Sequence, residues 1–252
     1  MQILSVEDIS IAFGGLQALS SVDVAVEEGE ILGLLGPNGS GKTTLFNIIS
    51  GIYRADSGRV IFSGKDITGI SAHAVARRGI SRTFQNLQLF NSMSVYDNVL
   101  TALEQRSAVR LVADLFGLPK SRDRHSNHAR VLQLLHFVGL EAYKDQSAEN
   151  LAFGHQRLLE MARALAMQPR LLLLDEPSAG MNFGEMDALG LLLQDVRDRF
   201  GITIILVAHT MRLVMRTCER LVVLNQGEKI AEGLPRDVRS DPLVVRAYLG
   251  EV

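Results

Sequence analysis

The sequence predicts an α/β fold: a mostly parallel sheet covered by helices on both faces, with an antiparallel β subdomain at its start and a helical subdomain inserted in its middle. Three observations predict it. Two short runs, 171–174 and 203–207, are apolar throughout and alternate with helical stretches, the pattern of parallel strands buried on both faces. Residues 3–13 and 20–26 instead alternate apolar and polar positions with a period of two, as half-exposed antiparallel strands do. From about Asn86 to Asn150 the strand patterns give way to helical periodicity and polar breaks.

In chain order, the first two strands turn at Gly14-Gly15, and Glu28-Gly29 leads into the apolar run Ile31-Leu32-Gly33-Leu34-Leu35. Next come Gly36-Pro37-Asn38-Gly39-Ser40-Gly41-Lys42-Thr43-Thr44 and an apolar-periodic stretch through Leu45, Phe46, Ile48 and Ile49, which Gly51 stops. This succession reads as strand, phosphate loop and helix, the core of a P-loop nucleoside triphosphatase. The glycines let the backbone turn with its N–H groups inward, so a polyphosphate lies on an amide nest against the positive end of the helix. Lys42 then reaches the outer phosphates, and the Thr43 hydroxyl serves the Mg²⁺ that accompanies ATP. Arg59 to Phe62 reads as a strand. Ser71 caps a short helix through Arg78, Gly79 stops it, and 80–85 is extended again. Helices are predicted over 95–103, 109–116 and 126–138, with a charged loop at 117–124. The core returns with a helix at 156–167, the 171–174 strand, a helix at 185–199 and the 203–207 strand. A last pair of strands, 221–224 and 228–231, turns at Asn225-Gln226-Gly227.

Two carboxylates, Asp175 and Glu176, follow directly on an all-apolar strand, at the sheet edge where open α/β sheets bind ligands. Asp175 is the expected Mg²⁺ partner, and Glu176 the general base that orients and deprotonates the attacking water. His209 follows the second apolar strand on the same edge, within reach of a γ-phosphate oxygen or of Glu176.

Composition narrows the function classes. With 26 basic and 28 acidic residues the net charge is −2, so electrostatics make no case for nucleic acid or an anionic membrane surface as the main partner. No secretory pattern opens the chain, and no apolar run approaches the roughly 18 residues of a membrane span. A cytosolic protein is therefore expected. The single cysteine, Cys218, excludes an internal disulfide and reads as a small buried apolar residue.

The phosphate loop, Gln85, the stretch Leu151-Ala152-Phe153-Gly154-His155-Gln156-Arg157, Asp175-Glu176 and His209 fall in an order and spacing that resembles the ATP-binding subunit of ABC transporters across the whole chain. The resemblance implies a single ATPase domain over 1–252, with a nucleotide-binding core at 1–85 and 156–252 and a helical subdomain at 86–155. It identifies Leu151 to His155 with the signature motif, usually Leu-Ser-Gly-Gly-Gln, which binds the γ-phosphate held by a partner subunit. Ala152 stands here in place of the serine, Phe153 in place of a glycine and His155 in place of the glutamine. By the same resemblance Gln85 touches the Mg²⁺ site and senses the membrane subunit, Ser178 to Asn182 passes between the two ATPase subunits, and Phe13 stacks on adenine. An isolated aromatic at a strand end is otherwise more often a core residue.

Finer features, Phe13 to Leu19, Arg82-Thr83-Phe84-Gln85, His209 to Met215 and Arg246 to Glu251, resemble the ATPases of branched-chain amino acid importers. Urea and amide importers are close relatives. The ATPase of a lipopolysaccharide exporter shares the tail but matches less well around Phe13 and Arg82. The implied protein is an ATPase using ATP and Mg²⁺, paired with a second ATPase subunit, identical or paralogous. It would dock on transmembrane permease subunits, meet a solute-binding protein indirectly, engage no nucleic acid, and lie in the cytoplasm on the inner face of the cell membrane. A soluble ABC ATPase of DNA repair or translation would bring a heptad run, a second site or a basic excess, none of which the sequence holds. Glu176 argues against a regulatory module without turnover.

Overall fold

The computed structural model describes residues 1–83, 87–107, 121–208 and 211–249, with backbone alone at 105–107, 121–125 and 249. In chain order the elements are β1 (Gln2–Phe13), β2 (Leu16–Glu27), β3 (Ile31–Leu35), α1 (Lys42–Ile49), β4 (Ser57–Phe62), β5 (Lys65–Asp66), α2 (Ala72–Arg77) and β6 (Ile80–Arg82). They continue with α3 (Val95–Ser107), α4 (Ser121–Phe137), α5 (Phe153–Ala166), β7 (Leu171–Asp175), α6 (Phe183–Phe200), β8 (Thr203–Val207), α7 (Met211–Thr217), β9 (Arg220–Asn225), β10 (Glu228–Gly233), α8 (Pro235–Ser240) and α9 (Pro242–Leu249). Two compact units result: Met1–Arg82 with Arg170–Val252, and Thr83–Pro169.

The first unit holds two sheets. One is antiparallel, in the order β2-β1-β4-β5. The other has the order β10-β9-β3-β8-β7-β6, parallel throughout except for β10 at its edge. Helix α1 fills the space between them. Its Leu45, Phe46, Ile48 and Ile49 share one buried cluster with Val6, Ile9, Val22 and Val24 of the antiparallel sheet and Leu32, Leu34, Leu173 and Ile205 of the parallel one. Burying each such side chain contributes about 1.5–3 kcal/mol, which fixes the helix carrying the phosphate loop to both sheets. On the far face a Cβ on Gly33 would stand 2.5 Å from Leu221 Cδ2 and 3.1 Å from Cys218 Sγ, so the chain at α7 and β9 packs flush on β3.

The β1–β2 turn shows why one boundary moved. Gly14 and Gly15 have φ of 54° and 87°, the two left-handed residues of a tight hairpin turn, and Phe13 pairs directly with Leu16. Strand β2 therefore begins at Leu16 and not near Ser20; Leu16 is exposed and breaks the alternation, but the backbone ladder does not depend on it.

In the second unit α5 packs against α3 and α4. Asn98 lies fully buried, its amide donating to the carbonyls of Phe90 and Ser94 at 3.0 Å each and its oxygen accepting from Phe90 N–H at 3.0 Å. The charged segment expected as a loop through Arg124 is helical from Ser121 onward, since after Pro119 nothing in the run breaks a helix. The helix expected at 109–116 lies outside the described residues. Helix α5 starts at Phe153, three residues before its expected start. By its contacts it belongs with Thr83–Pro169.

Candidate functional site

β3 and β7 are parallel strands of one sheet, separated by β8, so the loop after β3 and the acids at the end of β7 lie at the same sheet edge. The loop is wedged in place. Gly36 has φ 149°, and a Cβ there would stand 2.1 Å from Leu224 O and 2.4 Å from Ser40 Oγ. Gly41 has φ 103°, with Leu19 Cδ2 at 2.5 Å and Ala18 O at 2.8 Å from a would-be Cβ. The β9–β10 turn braces the middle of the loop: Gly227 N–H donates to Ser40 O at 3.1 Å, and Gly227 O accepts from Ser20 N–H at 2.8 Å. Pro37, Asn38, Gly39 and Thr44 complete the loop around these contacts, and Ser40 N–H closes a turn onto Pro37 O at 3.2 Å.

Lys42 opens α1 and is 5 % exposed. Its ammonium donates to Gly36 O at 2.7 Å, Pro37 O at 2.8 Å and Ser40 Oγ at 3.3 Å, which aims it into the loop. Burial lowers its affinity for the proton, and the Glu176 and Asp175 carboxylates oppose that shift. The loop lysine and the strand-end acids thus share one electrostatic site. Thr43 is exposed beside it.

Asp175 is buried and pairs with Arg82, Nη2 to Oδ2 at 3.0 Å. Glu176 is half-buried with φ 51°, a left-handed backbone on a non-glycine residue. Its N–H continues the ladder to Val207 O at 2.9 Å, and its C=O accepts from Ala179 N–H at 3.1 Å, so the chain turns sharply there. Five other non-glycine residues, Asp8, Ser21, Ser63, Gln168 and Gln226, share this left-handed backbone; Glu176 is the one that lies at the end of β7, on the same sheet edge as the phosphate loop. Phe13 ends β1 with 45 % of its surface exposed and meets Tyr53 edge-on at 5.3 Å, so it is not a core residue. Gln85 and His209 lie outside the described residues.

In the second unit Leu151 is buried, and Ala152 is the N-cap of α5 without a side-chain cap. Gln156 N–H makes the first helical bond, to Ala152 O at 3.0 Å, which leaves the amides of Phe153, Gly154 and His155 without intrahelical acceptors. α1 likewise enters without a side-chain cap, whereas α2 and α6 are capped by Ser71 and Asn182. Uncapped helix starts at a glycine-rich loop and at this motif leave N–H groups and a positive helix end for an anion. Phe153 is exposed beneath the Arg157 guanidinium at 5.2 Å, and the His155 ring packs on Tyr143 at 4.8 Å.

Three side chains at the site lie outside the residues that the sequence motifs mark as site residues. Arg82 binds Asp175, Tyr53 supports Phe13, and Tyr248 of α9 accepts a hydrogen bond from Gly36 N–H at 2.9 Å across 212 residues. Arg82 and Tyr248 both lie in stretches that carry the family resemblance, Arg82 to Gln85 and Arg246 to Glu251, but neither stretch by itself shows what these side chains touch.

Among the described residues no group of three or more His, Cys, Asp and Glu side chains forms a metal cage. Mg²⁺ suits such a site, because it is usually held by one or two protein groups together with phosphate oxygens. The donors offered here are hard oxygens, the Asp175 carboxylate and the Thr43 hydroxyl, and they fit that ion. No helix among the described residues is long and apolar enough to cross a membrane.

The family model for the ABC transporter matches residues 19–179, and that for the branched-chain amino acid ATP-binding cassette transporter matches 228–252. The chain is 41 % identical over 251 residues to the high-affinity branched-chain amino acid transport ATP-binding protein BraF of Pseudomonas aeruginosa, covering 99 % of this chain and 98 % of that one. It is 40 % identical over 250 residues to LivG of Escherichia coli K12, of the same description, with the same coverage. The lipopolysaccharide export system ATP-binding protein LptB of Escherichia coli K12 is 36 % identical over 251 residues, 100 % of this chain and 98 % of that one. The crystal structure of a nucleotide-free ATP-binding cassette from an ABC transporter superposes with a TM-score of 0.87 at 34 % identity, covering 100 % of both chains. With its wedged phosphate loop, strand-end acids and matching tail, the chain belongs to the ABC transporter family of ATP-binding proteins, within the branched-chain amino acid transport group.

Proposed function

We propose that this chain hydrolyses ATP to energise a membrane importer of branched-chain amino acids or a related small polar solute. The observation that carries the reading is the tail: residues 228–252 match the branched-chain amino acid group, and that tail includes Tyr248, bonded to the phosphate loop. In this reading Gly36 to Thr44 cradle the phosphates, Lys42 meets the outer ones, and Phe13 with Tyr53 behind it receives the adenine. Thr43, Gln85 and Asp175 hold Mg²⁺, which when bound neutralises charge on the phosphates. Glu176 takes the proton of the attacking water, and His209 hydrogen-bonds the γ-phosphate edge.

The start of α5, from Leu151 through His155, serves the nucleotide held by a second ATPase subunit, identical or paralogous. Gln85 relays the nucleotide state to transmembrane permease subunits. The solute-binding protein is met through them alone. The chain works in the cytoplasm against the inner face of the membrane.

Detergent extraction with the tagged chain as bait, joined to uptake of labelled leucine in cells lacking the chain, tests this. Co-purification of permease subunits and restoration of uptake by the wild-type chain, not by Lys42→Ala, are the expected results. Recovery of lipopolysaccharide-export membrane proteins instead, with uptake unaffected, would transfer the chain to the exporter reading that its 36 % identity to LptB keeps in view. Uptake of urea or an amide in place of leucine would change the solute and leave the ATPase role intact.

A further inference from the structure

Arg82 ends the first of the two segments that make up the first unit, and its guanidinium is almost wholly buried. It bonds to two separate parts of the core. Nη2 meets Asp175 Oδ2 at 3.0 Å; Nη1 donates to Asn47 Oδ1 at 2.6 Å and to Ser50 Oγ at 3.1 Å. The group also lies over the Phe46 ring, 5.5 Å from its centroid. Asn47 and Phe46 belong to α1, and Ser50 is that helix's C-cap, with its own hydroxyl donating back to Phe46 O at 2.7 Å. A cation there also suits the negative end of the helix. The planar fork of arginine can bond two directions at once in a fixed geometry, which lysine's single ammonium cannot.

The carboxylate it holds is the strand-end acid itself. Asp175 is buried, and a buried carboxylate is costly unless its charge is paired and its orientation held. With no acidic cage among the described residues, a divalent ion gains little from the protein unless that carboxylate is fixed relative to the helix that begins with Lys42 and Thr43. Arg82 supplies that fixed link. It spans from the C-terminal end of α1 to the end of β7, so one side chain ties the helix that carries the phosphate loop to the acid.

We propose that Arg82 is a positioning residue for the metal–nucleotide complex: it sets the orientation of Asp175 and locks it to the phosphate-loop helix. The inference rests on the reading of Asp175 as the Mg²⁺ partner. Its consequence is selective. Loss of the arginine weakens the metal-dependent part of nucleotide binding and spares the part that the loop and Lys42 provide without metal.

The test measures binding of a fluorescent ATP analogue to the full-length chain, in EDTA and across a Mg²⁺ titration. Wild type, Arg82→Lys, Arg82→Gln, Asn47→Ser and Asp175→Asn are compared after thermal melting confirms which of them fold. Arg82→Lys and Arg82→Gln are expected to bind the analogue normally in EDTA. They should need about 10- to 100-fold more Mg²⁺ for half-maximal tightening, as when an outer partner of a metal-holding carboxylate is lost. Asn47→Ser, which leaves the Arg82–Asp175 pair in place, should shift the Mg²⁺ response in the same direction by less, and it serves if the Arg82 variants do not fold. Equal losses with and without metal would make Arg82 a packing residue and overturn the proposal. So would an unchanged Mg²⁺ response, or a tighter one, which would mean that the arginine competes with the ion. A full Mg²⁺ response in Asp175→Asn would instead remove the reading of Asp175, a failure distinct from that of Arg82.

Discussion

Glu176 combines a half-buried carboxylate with a left-handed backbone, φ 51°, one residue beyond a fully buried strand. Holding a non-glycine residue there costs on the order of 1–3 kcal/mol, borne by the surrounding ladder, in which its N–H still reaches Val207 O. Because the strain belongs to the backbone, Glu176→Gln keeps both the shape and the cost while removing the base. Folding stability and ATP affinity should then be unchanged, and steady-state hydrolysis should fall by at least about 100-fold. A phosphate-release assay beside a nucleotide titration checks both halves; turnover near wild type would take Glu176 out of the base role. ATP-bound dimers should accumulate in the same variant, as size-exclusion chromatography would show.

Helix starts differ across the fold: α1, α5 and α8 open without a side-chain cap, α2 and α6 with one. α6 opens with a complete capping box, Asn182 Oδ1 accepting from Glu185 N–H at 3.0 Å and the Glu185 carboxylate from Asn182 N–H at 2.9 Å. α5 opens on Ala152 with no such partner. Ala152→Ser should therefore stabilise the helical unit by about 0.5–2 kcal/mol, read from denaturant unfolding. The added hydroxyl would compete for the amides that an anion would use, so stability and ATP-driven dimerisation should not rise in proportion.

A second prediction at this scale concerns the contact of α6 with α7. Asp187 accepts from Arg212 at 2.6 and 3.0 Å and from Arg216 at 2.8 Å, and these bonds, Arg212 foremost, hold its carboxyl down to about 2. The folded-state value lies below the unfolded one of 3.8, so the stabilisation is complete above about pH 4 and disappears as pH falls toward 2. Melting temperatures of wild type and Asp187→Asn should differ at neutral pH and converge as pH falls to about 2, with added salt narrowing the gap. A gap that persists at pH 2 would show that packing, not charge, is responsible.

For the molecule as a whole, Cys218 reports the integrity of the first unit. It sits beneath Gly33 where β3 meets the end of α7, and burial pushes its thiol up to about 12. A thiol that is neutral and covered is inert to alkylation. Native protein at pH 8 should resist iodoacetamide and label at the rate of unfolding, with full reaction in denaturant. Rapid labelling of the folded chain would mean that α7 opens locally.

The parts whose chemistry lies in adjacent residues are legible in the amino-acid sequence. The phosphate loop, the acids after an all-apolar strand and the α/β class follow from short-range rules, since glycine spacing, apolar runs and period-two alternation act within a few residues. What depends on chain closure emerges only once the chain has folded. Arg82 meets Asp175 across 93 residues and Gly36 meets Tyr248 across 212, pairings that no local pattern encodes. Gly36 and Gly41 are required by the backbone and side chains of Leu224, Ala18 and Leu19, which arrive from other strands. Helix α5 begins at Phe153 although Gly154 weakens its first turn, because packing on α3 and α4 outweighs propensities of about 1 kcal/mol or less.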